Sequence, residues 1–314
     1  MKAAGGHQAA RQSHSPSPFS SKIPESCQLF QLQNVAIPVT YFANGLIQGL
    51  MLPILSSYPG DIGLSAGQEA SIQGFYTLPL AFKIFMGFFT DNMTSGGYRR
   101  RPALFLGWFV AVASLVVLMI ASNTQFVPGQ DPPPDAPSAF LLGNSIFWYG
   151  VGVNLASTVA DGMVAEKYQL EGESRGNFLT SCLLFRYSGL ALAASLSPVV
   201  YSGAGSITVF ALLVIVPAML LWIIMYLDED VKVEELPGFR KNCENLWDMI
   251  QTRAVWQSMG FIFLYNAVQV DNLAYWDFLE LSLEFTNTQL NIVTIVSLFF
   301  IYLGVVTFKY GFML

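Results

Sequence analysis

The sequence predicts an all-α polytopic membrane protein of eight spans, with six helices forming a first bundle and two opening a second. Three observations carry that fold class. Of 314 residues, 53% are hydrophobic and only 11% charged, against about 25% charged in a soluble domain, and mean hydropathy is +0.48. Eight segments are long enough for the ~30 Å hydrocarbon core, which takes about 20 apolar residues. They lie at roughly 35–55, 70–90, 103–122, 139–161, 177–201, 206–227, 255–275 and 289–310. The loops 56–69, 123–138, 202–205 and 276–288 hold no Lys or Arg, whereas Arg99, Arg100, Arg101, Lys167, Arg175, Lys232, Arg240, Lys241, Arg253 and Lys309 all fall on the opposite face. Positive loops stay inside, so the amino terminus is expected in the cytoplasm.

Residues 1–34 are Ser-, Pro- and Gln-rich, with Lys2, Arg11 and Lys22 and no acid before Glu25. Lacking an apolar core, this stretch is no secretory signal. It reads as a disordered cytoplasmic tail, with an organelle transit peptide as the alternative. The membrane is accordingly the plasma membrane or a plastid-type envelope.

Helix one carries Thr40, Tyr41, Asn44 and Gln48. Asn44 and Gln48, four residues apart, share a face, while Gly45 and Gly49 form a close-packing stripe beside it. Helix two contains Lys83 and runs into G-F-F-T-D-N-M-T-S-G-G-Y-R-R-R-P, residues 87–102. Asp91 closes that helix, where the macrodipole disfavours a carboxylate. Arg99, Arg100 and Arg101 are the cations placed to offset it. Gly87, one turn earlier, is expected to let a neighbouring helix approach. Gly87, Asp91, Gly97 and the three arginines together read as a conformational gate, the alternative being a loop that only sets topology.

Ionisable groups inside a bilayer are expensive and need partners. Three stand out: Lys83, Asp161 in helix four and Arg186 in helix five. Arg186 lies on the order of 13 Å in from the inner end of its helix. Helices three and six hold no charge and are expected to face lipid. Lys83, Arg186, Asn44, Gln48 and Asp161 are therefore the candidate substrate-binding residues. Simpler readings are snorkelling for Lys83, pairing with Lys167 or a loop arginine for Asp161, and a buried carboxylate such as Asp161 as the partner of Arg186.

Residues 228–254 are a charged cytoplasmic linker between the 35–227 bundle and the 255–314 segment, and Leu246, Trp247, Met249 and Ile250 suit a membrane surface. Asn44 to Gln68 spans 24 residues and Asn266 to Gln289 spans 23, each ending in a Ser/Thr-x-x-Gln cap. This repeat implies parallel halves. On that scheme four helices of the second bundle would follow Leu314, and the chain reads as incomplete. Cys27, Cys182 and Cys243 are scattered, and His7 and His14 sit in the tail. Neither a disulfide framework, a metal site nor a His-dependent catalytic site is readable. A net charge of −6 without a basic stripe argues against nucleic acid.

Tyr41-Phe-Ala-Asn-Gly-Leu46, Leu64-Ser-Ala-Gly-Gln68, Leu78-Pro-Leu-Ala-Phe-Lys83, Gly87-x-x-x-Asp91 with Gly97-Tyr-Arg-Arg-Arg-Pro102, and Val159-Ala-Asp-Gly-Met-Val-Ala-Glu166 resemble the folate–biopterin transporter family of the major facilitator superfamily. The likeness covers most of 35–310. It departs at Phe82, where the family usually has another aromatic or an aliphatic residue, and at Gly162, where it usually has alanine. The resemblance implies a non-enzymatic, proton-coupled secondary carrier of twelve helices for anionic folates or pterins, with no cofactor. A facilitator for another small solute, such as a sugar or drug, is the alternative within transporters. A truncated, non-transporting membrane protein is the alternative outside them.

Overall fold

In hydrocarbon a chain must close its own backbone hydrogen bonds, and long apolar stretches do so as helices. A computed structural model describes residues 35–92, 98, 100–170, 177–226, 239–268 and 287–312, with isolated positions between 278 and 285. The tail, Gly97, Arg99 and most of the charged part of the linker lie outside the described residues, as does most of the second repeat copy. The helices are α1 (Ala36–Ser56), α2 (Tyr58–Asp61), α3 (Ala66–Ala81), α4 (Lys83–Asn92), α5 (Arg101–Ala121), α6 (Ala139–Leu170), α7 (Asn177–Ala204), α8 (Ser206–Ile223), α9 (Phe239–Gln251), α10 (Arg253–Val268) and α11 (Asn287–Phe312).

Among the described residues five helices are long and apolar enough to cross a membrane: Ala36–Asp61, Arg101–Ala121, Ala139–Glu166, Phe178–Ala204 and Ser206–Ile223. They agree with predicted spans one and three to six to within a few residues. The pair α3–α4, bent by 46°, makes a sixth. Here the structure departs from the expected continuous helix over 70–90. Pro79 lies in the last turn of α3, where it removes a donor and crowds the turn before it. The Phe82 N–H then closes on the Pro79 carbonyl at 3.1 Å, a tight three-residue turn that ends the helix. The Phe82 carbonyl accepts from Met86 at 3.0 Å, and a new helix starts at Lys83. Of predicted span seven, α10 covers residues up to 268 and the remainder lies outside the described residues. Span eight corresponds to α11, whose apolar part is Ile295–Gly311.

Two glycine seams hold the bundle. A Cβ at Gly45 would overlap the Arg186 carbonyl oxygen, and one at Gly49 would lie 2.6 Å from the Ala193 Cβ. Ser197 Oγ donates to the Gly49 carbonyl at 2.9 Å. These paired registers, 45 with 186 and 49 with 193–197, make α1 and α7 parallel neighbours in near backbone contact, as the stripe predicts. Gly107 and Gly152 do the same for α5 and α6, each Cβ position falling within 2.8 Å of the other residue's carbonyl oxygen. Trp108, Tyr149, Phe210 and Leu213 fill the space behind that seam. Phe109, Ile120, Ile215 and Trp222 of the charge-free stretches of α5 and α8 point outward, as lipid-facing residues would. The loop between α5 and α6 is tied down by Ser206, whose N–H donates to the Phe126 carbonyl at 2.8 Å.

Candidate functional site

One end of the bundle gathers the amino-terminal ends of α5 and α7 and the carboxy-terminal ends of α4 and α6. The backbone at Arg100 leads into α5, and its side chain is 9% exposed. Its guanidinium lies between two helix-end carboxylates. Nη2 is 2.7 Å from Glu166 Oε1 and 3.2 Å from Asp91 Oδ1, and Nε donates to Glu166 at 3.2 Å. Both acids sit where the dipoles of α4 and α6 disfavour them, and one shared cation offsets both. The expected pairing of Asp91 with the arginine loop is thus made by Arg100. Glu166 is a partner that the sequence reading quoted within a motif but did not single out.

Arg101 serves another purpose. Its Nη2 donates to the Met225 carbonyl at 2.8 Å, and its guanidinium stands 4.9 Å from the Tyr98 ring centre. The loop is thereby fastened to the end of α8. Gly87 does not act as expected, since a Cβ there would meet only Thr158 Cγ2, at 3.5 Å, an ordinary contact. The close approach belongs instead to Gly162. A Cβ at that position would overlap Arg100 Nη1 and lie 2.7 Å from Cζ.

Deeper in the bundle, Asp161 holds the second cluster. Lys83 Nζ is 2.5 Å from Oδ2, and the Tyr41 hydroxyl donates to Oδ1 at 2.6 Å. The pair joins α1, α4 and α6 at the helix break. Lys83 opens α4, where a cation is disfavoured by the dipole and a carboxylate is the natural counter-ion. Lys83 is thus paired rather than snorkelling alone, and Asp161 is held by Lys83 and Tyr41 rather than by Arg186; the Lys167 side chain and Arg99, also named for it, lie outside the described residues. Nothing in the one-dimensional pattern joined residues 83 and 161, because the pairing depends on where α3 breaks.

Arg186 is half-buried on α7, and among the described residues it has no hydrogen-bond or ion-pair partner. Its charge lies within electrostatic reach of the Tyr41 and Tyr76 hydroxyls. Asn44 is 4% exposed, and its Oδ1 is buried without a partner. Gln48, one turn on, is half-buried and likewise unpaired among the described residues. On the helical wheel Tyr41, Gln48 and Asn44 fall to one side of the Gly45–Gly49 stripe. A polar strip with spare acceptors thus lies next to the helix that carries an unpaired guanidinium. No group of three or more potential metal ligands occurs among the described residues.

Helices that pack by glycine seams, a broken span and ion pairs placed at membrane depth define an integral, multi-pass membrane protein. Residues 42–313 match the model of the BT1 family, and the chain belongs to that family. It is similar to a folate-biopterin transporter of Synechocystis sp. (strain ATCC 27184 / PCC 6803 / Kazusa), at 23% identity over 260 residues, covering 80% of this chain and 49% of that protein. The chain thus spans about half the length of the curated relative it matches. No solved structure matches it.

Proposed function

We infer that the chain forms the first bundle and the start of the second in a major-facilitator-type carrier for anionic, folate- or pterin-type molecules, working by alternating access with proton coupling. In this reading eight spans are present, with the amino terminus and the 228–254 linker in the cytoplasm and α9 lying on the inner membrane surface. The observation that carries it is Arg186. A guanidinium cannot shed its charge, and a half-buried one held at membrane depth without a counter-ion is costly, so the site is completed by an anion. A carboxylate accepts two parallel N–H bonds from it, while Asn44 and Gln48 offer hydrogen bonds along the same wall.

Lys83 is committed to Asp161, which leaves Arg186 as the anion-binding cation of this half. Asp161, with Tyr41 and Lys83 on its two oxygens, is the group placed to take the coupled proton. Neutralising it would release Lys83 and loosen α4 from α6. Asp91, Arg100 and Glu166 hold the same helices at the inner end, and Gly97 and Arg99 complete the gate loop.

Folate binding by the purified chain in nanodiscs tests the reading. Arg186→Lys should weaken binding about tenfold, since lysine cannot reproduce the bidentate contact, and Arg186→Ala should weaken it further. Folate binding by Arg186→Ala equal to that of the parent, in correctly folded protein, would remove Arg186 from the site and the reading with it.

A further inference from the structure

At the end opposite the clamp a cavity of about 430 Å³ opens between α1, α7 and α11, within the range of small-molecule sites, about 300–1,000 Å³. Its polar wall is Ser57, Asp61, Ser195 and Tyr201, and its apolar wall includes Pro53, Pro198, Ile292 and Ile295. The Tyr201 hydroxyl donates to Asp61 Oδ2 at 2.6 Å, and Oδ1 has no partner among the described residues. Among the described residues none lining the cavity is Lys, Arg or His. The loop above it, 123–138, adds Asp131 and Asp135 and no cation.

Such a cavity is the electrostatic opposite of the Arg186 wall. A carboxylate only accepts, and a low-dielectric mouth lined with one sign of charge excludes anions and concentrates cations and donors. A lone carboxylate does not make a metal site. The proline and isoleucine faces suit the apolar body of a small organic molecule rather than a bare ion. We propose that this cavity docks a flat nitrogen heterocycle bearing two adjacent N–H donors, with Asp61 as acceptor. In the proposed cargo that group is the aminopyrimidinone edge of the pterin ring, and to this extent the proposal rests on the reading above. Tyr201 is a positioning residue, holding the carboxylate with one oxygen free. Arg186 lies 15 residues earlier on α7, about 22 Å along the axis. Ring and anion are therefore recognised at separate stations, the ring first at the mouth.

The test uses the purified chain in nanodiscs and two probes: 2-amino-4-oxopteridine, which has the ring without a carboxylate, and 4-aminobenzoylglutamate, which has the carboxylates without the ring. Asp61→Asn should weaken the ring probe about ten- to a hundred-fold and leave the carboxylate probe unchanged. Asp61→Glu should restore ring binding, which separates loss of the acceptor from misfolding. Tyr201→Phe should change ring affinity by no more than a few-fold. Ring binding that is absent in the parent, or equal in parent and Asp61→Asn, overturns the proposal. Carboxylate-probe binding insensitive to Arg186→Ala overturns the anion-carrier reading instead and leaves the Asp61 result standing, so the two failures are distinguishable.

Discussion

Replacing Gly162 by alanine adds one methyl group against the Arg100 guanidinium. The new Cβ would lie 2.7 Å from Arg100 Cζ, against a carbon–carbon contact distance of about 3.5 Å. The guanidinium must therefore retreat by roughly 0.8 Å. Its bond to Glu166, now 2.7 Å, would lengthen towards about 3.5 Å, the limit of a useful hydrogen bond. A hydrogen bond to a charged group contributes about 1.5–3 kcal/mol. The Glu166 and Asp91 side chains are 41% and 43% exposed, so solvent screening reduces the expected loss to about 1–2 kcal/mol. That changes the balance between clamped and open forms by roughly 5- to 30-fold.

Cys182 reports the opening. It is buried on α7 beside Ser181, where Lys309 of α11 docks at 2.7 Å. In a Cys27→Ser, Cys243→Ser background, its maleimide labelling should accelerate by that factor in Gly162→Ala. The acceleration should vanish when Glu166→Gln and Asp91→Asn are already present, because the clamp is then already open. An unchanged labelling rate, or an equal acceleration in the clamp-free background, would refute the link from Gly162 through Arg100.

Other outcomes follow from the same geometry. Asp161→Asn should remove the response of uptake to an imposed proton gradient while the protein still inserts normally; a preserved response would take Asp161 out of the coupling step. Lys83→Met should impair transport in the parent and less so in Asp161→Asn, whose side chain no longer needs a counter-ion, and equal impairment in both would place Lys83 elsewhere in the mechanism. Cysteines at Ser138 and Ser174 should label from opposite sides of the membrane; labelling from the same side would mean that α6, the one span between them, does not cross. Gly45→Leu should abolish folding, since its side chain would have to occupy the α7 backbone, and a well-folded Gly45→Leu protein would disprove the seam.

Apolar length made most of the fold legible. Spans one and three to six could be read to within a few residues because a bilayer sets a minimum run of apolar side chains and penalises charge within it. Gly45 and Gly49 were readable for a similar reason, as four-residue spacing is a property of one helix; Gly107 and Gly152, on two different helices, were not. Partnerships across helices were less visible. Lys83 and Asp161 both stood out as intramembrane charges, but their union depends on a bend that begins at Pro79 and ends at Phe82. Asp91 could be assigned to an arginine from its helix-end position, yet three neighbouring arginines offered equal charge. Burial against Gly162 is what distinguishes Arg100. Asp61 and Tyr201, 140 residues apart, carried no signal at all.

The seam between α1 and α7 sets a limit on how cargo is measured. With Gly45 and Gly49 against the backbone of α7, no side-chain layer remains that could slide or swing between the two helices. Asn44 and Gln48 therefore keep a constant spacing from Arg186. If they hold cargo as proposed, they form the fixed jaw of a caliper, and only an opposing jaw can travel. Molecules of different length would then be discriminated by where the far wall stops, while the register of their anionic end stays the same throughout the cycle.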